Sequence, residues 1–403
     1  MRHKALILFL NMALFISCFK DETVVISELS IKEPLVTNTS SLHEEKEIVE
    51  PETDLAQAIH WIVNMQSVNG LLESSENTDF VSLYDNVLAA LVFMELDKMD
   101  RAEKIFDYFN GQVNNELLSS DGGFYQFRNS KGENGNRTWM GDNAWLLIAL
   151  NHYHSVTGNE KYKPMAQGIE QWLRGLQDTD GGLWGGLNDN GTVIPKVTEG
   201  MITAFHAVQG FDDFHTNILT FLQENRWDTT NQILLAWPEN PAYNHALDLH
   251  SLGSLIFKDY SPQILLQADR FYTTQTSTVN GLEISGYCFD EDKDVVWLEG
   301  TAQMAVAYKI SGNDFFANEL ILELEKSFIN SATISDSKGI PYTSNHGTSY
   351  GSDLLWVHAD LTPTLSATAW YIFAKIETNP LEFGEQKEIP VLERFWITGT
   401  TSD

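Results

Sequence analysis

Basic side chains are scarce in this chain. Lysine and arginine total 25 against 56 aspartates and glutamates in 403 residues, a net charge of −31. A field of that sign repels phosphate backbones at every distance beyond direct contact, which argues against nucleic acid as a partner. It also disfavours polyuronates and sulfated glycans unless a local basic pocket overrides it, so neutral ligands are favoured. Cysteine is nearly absent, with only Cys18 and Cys288, so no disulfide framework exists and packing must supply stability. With 11 prolines and 43% hydrophobic residues, the chain is neither disordered nor fibrous. Long apolar runs are missing too. The run over 5–16 falls far short of the roughly 20 residues that span a bilayer.

That short run follows Arg2, His3 and Lys4, the layout of an export signal. It ends Leu14-Phe15-Ile16-Ser17-Cys18, which resembles a bacterial lipobox, with Phe15 where leucine is commonest. The resemblance implies a signal over 1–18, a lipid on Cys18, and residence at the bacterial cell envelope through that membrane anchor. The polar, core-poor stretch over 19–50 reads as a tether. Cys288 would then be the sole cysteine of the mature chain, expected to pack as a small apolar group.

Beyond the tether the chain repeats. Gly70-Leu71-Leu72, Gly122-Gly123-Phe124, Gly181-Gly182-Leu183, Ile233-Leu234-Leu235, Gly281-Leu282-Glu283 and Gly339-Ile340-Pro341 recur along it. Amphipathic stretches precede them, at 102–109, 162–176, 218–223, 264–274 and 315–328. More uniformly apolar stretches follow, near 80–96, 141–156, 198–210, 247–258, 298–310 and 361–377. A helix apolar on every side belongs inside and one with a charged face belongs outside. Six outer–inner pairs predict an all-α fold, an (α/α)6 toroid, as a single domain over 51–380 with a tail over 381–403.

Tyr84-Asp85-Asn86, Trp139-Met140-Gly141-Asp142-Asn143, Asp180-Gly181-Gly182-Leu183-Trp184, Thr198-Glu199-Gly200-Met201 and Trp297-Leu298-Glu299-Gly300 resemble the six-hairpin glycosidase superfamily. The resemblance spans about 330 residues and implies the toroid and a carbohydrate substrate. That superfamily also contains lyases, phosphorylases and epimerases, so it leaves the reaction open.

The predicted inner helices begin with Asp85, Asp142, Glu199, Asp248, Glu299 and Asp360, at intervals of 49 to 61 residues. Acids in a first turn are favoured by capping and by the helix dipole alone. Asp142, Glu199 and Glu299 stand out because each adjoins a glycine that would let a ligand approach the backbone. Inverting glycoside hydrolysis needs two carboxyl groups roughly 6.5–9.5 Å apart. In a closed ring, Asp142 and Glu299 head opposite helices, and axes about 8–10 Å apart leave roughly 4–10 Å between their carboxyls. These three are the expected catalytic group, with acid and base unassigned. Asp85, Asn86, Asn143 and His250 are expected to bind substrate, with Trp139, Trp184, Trp237, Trp297 and Trp356 as stacking platforms. His346 is a further possible donor to sugar hydroxyls.

Asp290, Asp292 and Asp294 alternate as in a calcium loop but lack its glycine and its final acid, and no Cys/His set has zinc spacing. No metal and no cofactor are expected. Gln66-x3-Gly70 and Gln177-x3-Gly181 also resemble the repeat of terpenoid-cyclase toroids, although the Asp-rich cyclase motif is missing. The expectation is a hydrolase of a neutral oligo- or polysaccharide. A polysaccharide lyase, a non-catalytic glycan-binding lipoprotein and a cyclase-like toroid are the alternatives.

Overall fold

Twelve α-helices among the described residues alternate between two characters. The computed structural model describes residues 53–397, apart from 121, 258, 261–262 and 383–386. The signal at 1–18 with Cys18 and the tether at 19–50 lie outside the described residues. The inner helices are α2 (Leu83–Glu95), α4 (Met140–Thr157), α6 (Thr198–Ala207), α8 (Asp248–Ile256), α10 (Leu298–Ile310) and α12 (Leu365–Lys375). The outer ones are α1 (Asp54–Met65), α3 (Met99–Gln112), α5 (Lys163–Gly175), α7 (Asp213–Asn225), α9 (Gln263–Gln267) and α11 (Asp314–Glu325).

Composition explains the sorting. In α10 every residue from Leu298 to Tyr308 is buried, so no face is left for water. In α5, by contrast, Met165, Ile169 and Leu173 form a buried stripe at every fourth position, while Glu170 and Arg174 pair at 2.9 Å on the other face. Each such buried side chain stabilises the fold by roughly 1.5–3 kcal/mol. Each inner helix packs on the next, and α12 packs back on α2, closing the ring. The architecture is the (α/α)6 toroid that the repeats predict.

A recurring clamp sets the rotation of the inner helices. A side chain in the first turns accepts a backbone N–H from the loop segment of the same hairpin. Asn86 accepts from Leu72 at 2.9 Å, Asn143 from Phe124 at 2.8 Å, and Met201, through sulfur, from Leu183 at 3.4 Å. Thr301 accepts from Tyr287 at 3.0 Å and Thr368 from Ile340 at 2.9 Å.

A second clip joins the outer ring. Gln66 donates to the carbonyls of Gly70 and Arg101, and Gln177 donates to those of Gly181 and Phe214. Both glycines have positive φ, and a Cβ would meet the Lys104 oxygen at 2.4 Å or the Asn217 oxygen at 2.3 Å. The Gln-x3-Gly motif thus ties one outer helix to the next, which accounts for its repetition without cyclase chemistry.

Loops of the first three hairpins form a five-stranded antiparallel sheet: Val81–Ser82, Tyr125–Arg128, Asn136–Trp139, Gly186–Leu187 and Val193–Ile194. Two of these strands run directly into α2 and α4, so the sheet lies at the N-terminal end of the inner helices.

Three expectations change. The stretch at 264–274 is a short helix and a 3-10 turn leading into the strand Tyr272–Thr276, because Tyr272-Thr273-Thr274 favours extended backbone. The last inner helix starts at Leu365, since Pro363 disfavours helical backbone in the residue before it, so Asp360 is not a helix head. Within the segment expected as a tail, residues 394–396 pack onto the domain. Trp396 packs at a tilt against Phe257 at 4.8 Å, Phe395 meets Trp227 at 5.3 Å, and Arg394 pairs with Asp259 at 2.8 Å.

Gly181→Ala should destabilise the fold by more than about 1 kcal/mol, because strained backbone and a steric clash coincide. Gly210→Ala, at φ 76° with open space around its Cβ, should cost less. Urea denaturation of the two variants gives the comparison; equal losses would mean that the clip contributes nothing.

Candidate active site

The N-termini of the inner helices converge beneath the loop sheet, where their unpaired N–H groups favour negative charge. Two adjoining lobes open there. The first is lined by Tyr84, Asp142, Glu299, Gln303 and Tyr342 together with Trp297 and Trp356. The second is lined by Trp237, Tyr243, Tyr350 and Leu355 among others. Trp139, Glu199, Asp248 and Phe289 border both.

Burial raises the pKa of every carboxyl in this group, and the neighbours then distinguish them. Asp142 accepts from the Tyr84 backbone and from Gln126, both at 3.3 Å. Burial pushes it up to about 7, against the pull of the Arg137 cation. Burial lowers Arg137 itself to about 10, so it stays charged at neutral pH. Glu199 accepts from Thr203 at 3.1 Å. Burial, then the negative neighbours Asp248 and Asp142, push it up to about 8. Asp248 rises to about 7, again chiefly by burial.

Glu299 also rises by burial, opposed by hydroxyls of Tyr342, Tyr84 and Ser366 and by the Gln303 amide. Tyr84 donates to it at 2.8 Å and Gln303 at 3.2 Å. Each donor is itself oriented, Tyr84 by the Trp370 indole at 2.8 Å and Gln303 by Ser251 at 3.0 Å.

The structure thus brings Asp142, Glu199 and Glu299 to one cavity with Trp139, Trp297 and Trp356; Trp297 and Trp356 stack at 5.3 Å and 11°. Trp237 lines the second lobe. Other expected residues lie elsewhere. Asp85, pushed up to about 8 by burial against the pull of the nearby Ser74 and Ser366 hydroxyls, lines neither lobe. Asn86 and Asn143 spend their amides on the clamp, each donating to two further carbonyls. His250 is buried, held by the Ile264 carbonyl at 2.9 Å and lowered to about 4 by that burial, so it is neutral. Trp184 lies outside both lobes, with Lys196 over its ring at 4.7 Å. The glycines beside the acids serve neighbouring side chains rather than a ligand: a Cβ on Gly300 would fall 2.1 Å from the Trp297 ring, one on Gly141 2.5 Å from that of Trp139, and one on Gly200 2.7 Å from Met140.

Sequence reasoning ranked Asp248 too low and did not single out Arg137, Tyr342 or Gln303. Asp248 carried the same signal as its partners, an acid at a helix head in register. Arg137 carried none, since its contact with Asp142 arises from the strand leading into α4. Cys288 is buried, and its thiol is pushed up to about 12, chiefly by that burial, which removes it as a nucleophile.

Fold and cavity define the class: a six-hairpin toroid with a carboxyl-lined, aromatic-walled pocket at the helix N-termini. Solved structures with this fold include a novel α-amylase from Clostridium perfringens, with a TM-score of 0.58 and 11% identity over 81% of this chain and 98% of that one. A D-mannose isomerase gives a TM-score of 0.54 with 11% identity over 82% and 96%. A glycosidase variant in complex with glucose gives 0.52 with 12% identity over 82% and 97%. Sugar epimerases are similar as well. At such identity the likeness establishes the fold, and these neighbours are all carbohydrate-active enzymes. No protein-family model and no curated protein matches the sequence.

The raised carboxyls make stability depend on pH. The folded protein keeps protons that the unfolded chain sheds above about pH 4, so these groups' contribution to stability is full below that pH and is lost as pH climbs through their folded values of 7 to 8. Glu199→Gln should therefore match the wild-type melting temperature at pH 5 and exceed it at pH 8. A larger advantage at pH 5 than at pH 8 would refute the sign.

Proposed function

We propose that the protein hydrolyses a glycosidic bond in a neutral oligo- or polysaccharide, with Glu199 as general acid and Asp142 as general base. The observation that carries this reading is the position of Glu199, which like Asp248 borders both lobes while Asp142 and Glu299 border only the first. Of Glu199 and Asp248, the former is the one that feels the charge of Asp142. An acid at the junction of two sugar-binding lobes is placed to protonate the oxygen that joins two sugars. The first lobe holds the ring whose anomeric carbon reacts. Water attacks that carbon, gives its proton to Asp142, and the bond to the leaving oxygen breaks as Glu199 donates its own. Configuration at the anomeric carbon inverts.

Electrostatics supports the division of roles. Asp142 is the carboxyl with a cation beside it, whereas the charged neighbours of Glu199, namely Asp248, Asp142 and Glu299, are all negative. Glu299, held by Tyr84 and Gln303, is left to orient a sugar hydroxyl. Excess negative charge in the cavity works against uronate substrates, and the paired Trp297 and Trp356 offer a face for an uncharged ring. An isomerase or epimerase reading is also permitted by the structural neighbours, which include a cellobiose 2-epimerase; cleavage of the glycan into shorter products separates hydrolysis from it. The lipid on Cys18 and envelope residence remain part of the proposal on the strength of the sequence alone. Cys18→Ser should abolish incorporation of labelled fatty acid.

Activity on a neutral glycan should be bell-shaped in pH, with the acidic limb near the Asp142 value of about 7 and the basic limb near the Glu199 value of about 8. Removing the cation in Arg137→Met raises the Asp142 pKa and moves the acidic limb up. Removing a like charge in Asp248→Asn lowers the Glu199 pKa and moves the basic limb down. Glu199→Gln should cut kcat by about 10²–10⁴, while NMR of the first product should show the inverted anomer. Wild-type turnover in Glu199→Gln, or a retained anomer, would overturn the assignment; binding preserved with no turnover in any protein form would identify a glycan-binding module.

A further inference from the structure

The loop between α11 and α12 folds into a hairpin, Thr348–Tyr350 paired with Asp353–Leu355. At its base stand three side chains that neither lobe uses: His346 on the way in, His358 and Asp360 on the way out. A ring nitrogen from each histidine and a carboxylate oxygen of Asp360 lie within 4.8 Å of one another. Asp360 is the informative member. Its side chain is 0% exposed, and neither of its oxygens accepts a hydrogen bond from any described residue.

A buried carboxyl without hydrogen bonds is costly, and native structures seldom leave one unexplained. The nearest partner, His346 Nδ1, is 3.6 Å from Asp360 Oδ2, too far for a hydrogen bond. It is close to the spacing of two atoms bound to one ion. Bonds of about 2.1 Å at a tetrahedral angle place their ligand atoms about 3.4 Å apart. Both histidines are exposed, which leaves a path for the ion and a fourth position for water.

We propose that His346, His358 and Asp360 bind a divalent transition-metal ion, zinc first among them. Two imidazoles and one carboxylate suit zinc better than calcium or magnesium, which prefer oxygen throughout. The sequence hides the set because the ligands come from opposite ends of a hairpin. A second acidic group, Cys288 with Asp292 and Asp294, has comparable spacing. Its Asp292 already accepts from the Ser349 hydroxyl and from the Asp294 backbone N–H, so it carries no proposal.

The ion would act on the architecture of the pocket. Trp356, which lines the first lobe, lies two residues before His358, and both have left-handed backbone, φ 55° and 62°. Tyr350 and Leu355 of the same hairpin line the second lobe. A metal at the base would fix the hairpin that supplies these walls.

The test uses the full-length, tag-free chain, stripped with a chelator and titrated with zinc chloride by calorimetry. Wild type should bind one zinc per chain, and its thermal midpoint should rise with added zinc. His358→Ala and Asp360→Asn should each weaken binding at least about tenfold, since even the loss of an outer partner of a metal ligand commonly costs that much. Cobalt(II) should give the visible absorption of a tetrahedral site in wild type and lose it in the variants. No zinc uptake by wild type, or the same affinity and stoichiometry in His358→Ala, would overturn the site. His358 is exposed, so that variant remains informative even if Asp360→Asn folds poorly. The readout is metal binding, so its result is independent of the proposed hydrolysis.

Discussion

Five carboxyl groups are held in and around one buried end of the ring, and the cation Arg137 acts on one of them, Asp142. Isolated anions there would be intolerable, so the site depends on how their charge is relieved. Helix N-termini supply partial positive charge, hydroxyls and amides supply donors, and the remaining strain is relieved by keeping protons. The same burial that penalises charge keeps these acids near neutral pH, where proton transfer is useful. Because relief is uneven, otherwise similar carboxyls become chemically different.

Ring closure is what brings them together, and the clamp fixes how they face. Relative to the clamp side chain, Asp85 and Asp142 lie one residue earlier, whereas Glu199 and Glu299 lie two earlier. One residue rotates a side chain by about 100° around the helix. In α2 the position two before the clamp is Tyr84, which lines the first lobe, and Asp85 turns to Ser74 and Ser366. In α4 that position is Gly141, which carries no competing side chain, and Asp142 itself reaches the cavity. In α12 the position is Ser366, within the acid cluster, and this serine takes the place expected of Asp360.

These registers separate what the sequence reveals from what it hides. Period and polarity expose the six hairpins and the end of the ring that gathers the acids, because both signals survive in a one-dimensional pattern. Which head residue points inward depends on a single-residue step, and no composition rule resolves that step. Asn86 and Asn143 look like sugar ligands for the same reason that they are clamps: an amide at a helix start can satisfy backbone groups or hydroxyls equally well. The glycines beside the acids mark close approach, as expected, but the approaching groups are the rings of Trp139 and Trp297 and the side chain of Met140.

The pocket therefore has two parts with different physical origins. The first lobe takes its acids from helix heads braced by ring packing, and its geometry is inherited from the fold. The second lobe is bounded by the loop around Trp237 and Tyr243 and by the 348–355 hairpin, joined where Tyr350 donates to the Tyr243 carbonyl at 2.9 Å. Loops change more readily than packed helices, so the second lobe is where a toroid can alter the saccharide it accepts without disturbing its acids. A rigid brace at the base of that hairpin would resist such freedom in an individual protein, fixing one shape out of the many that the loop could adopt. Chemistry would then reside in the ring and selectivity in the hairpin, with Glu199 at the boundary between them.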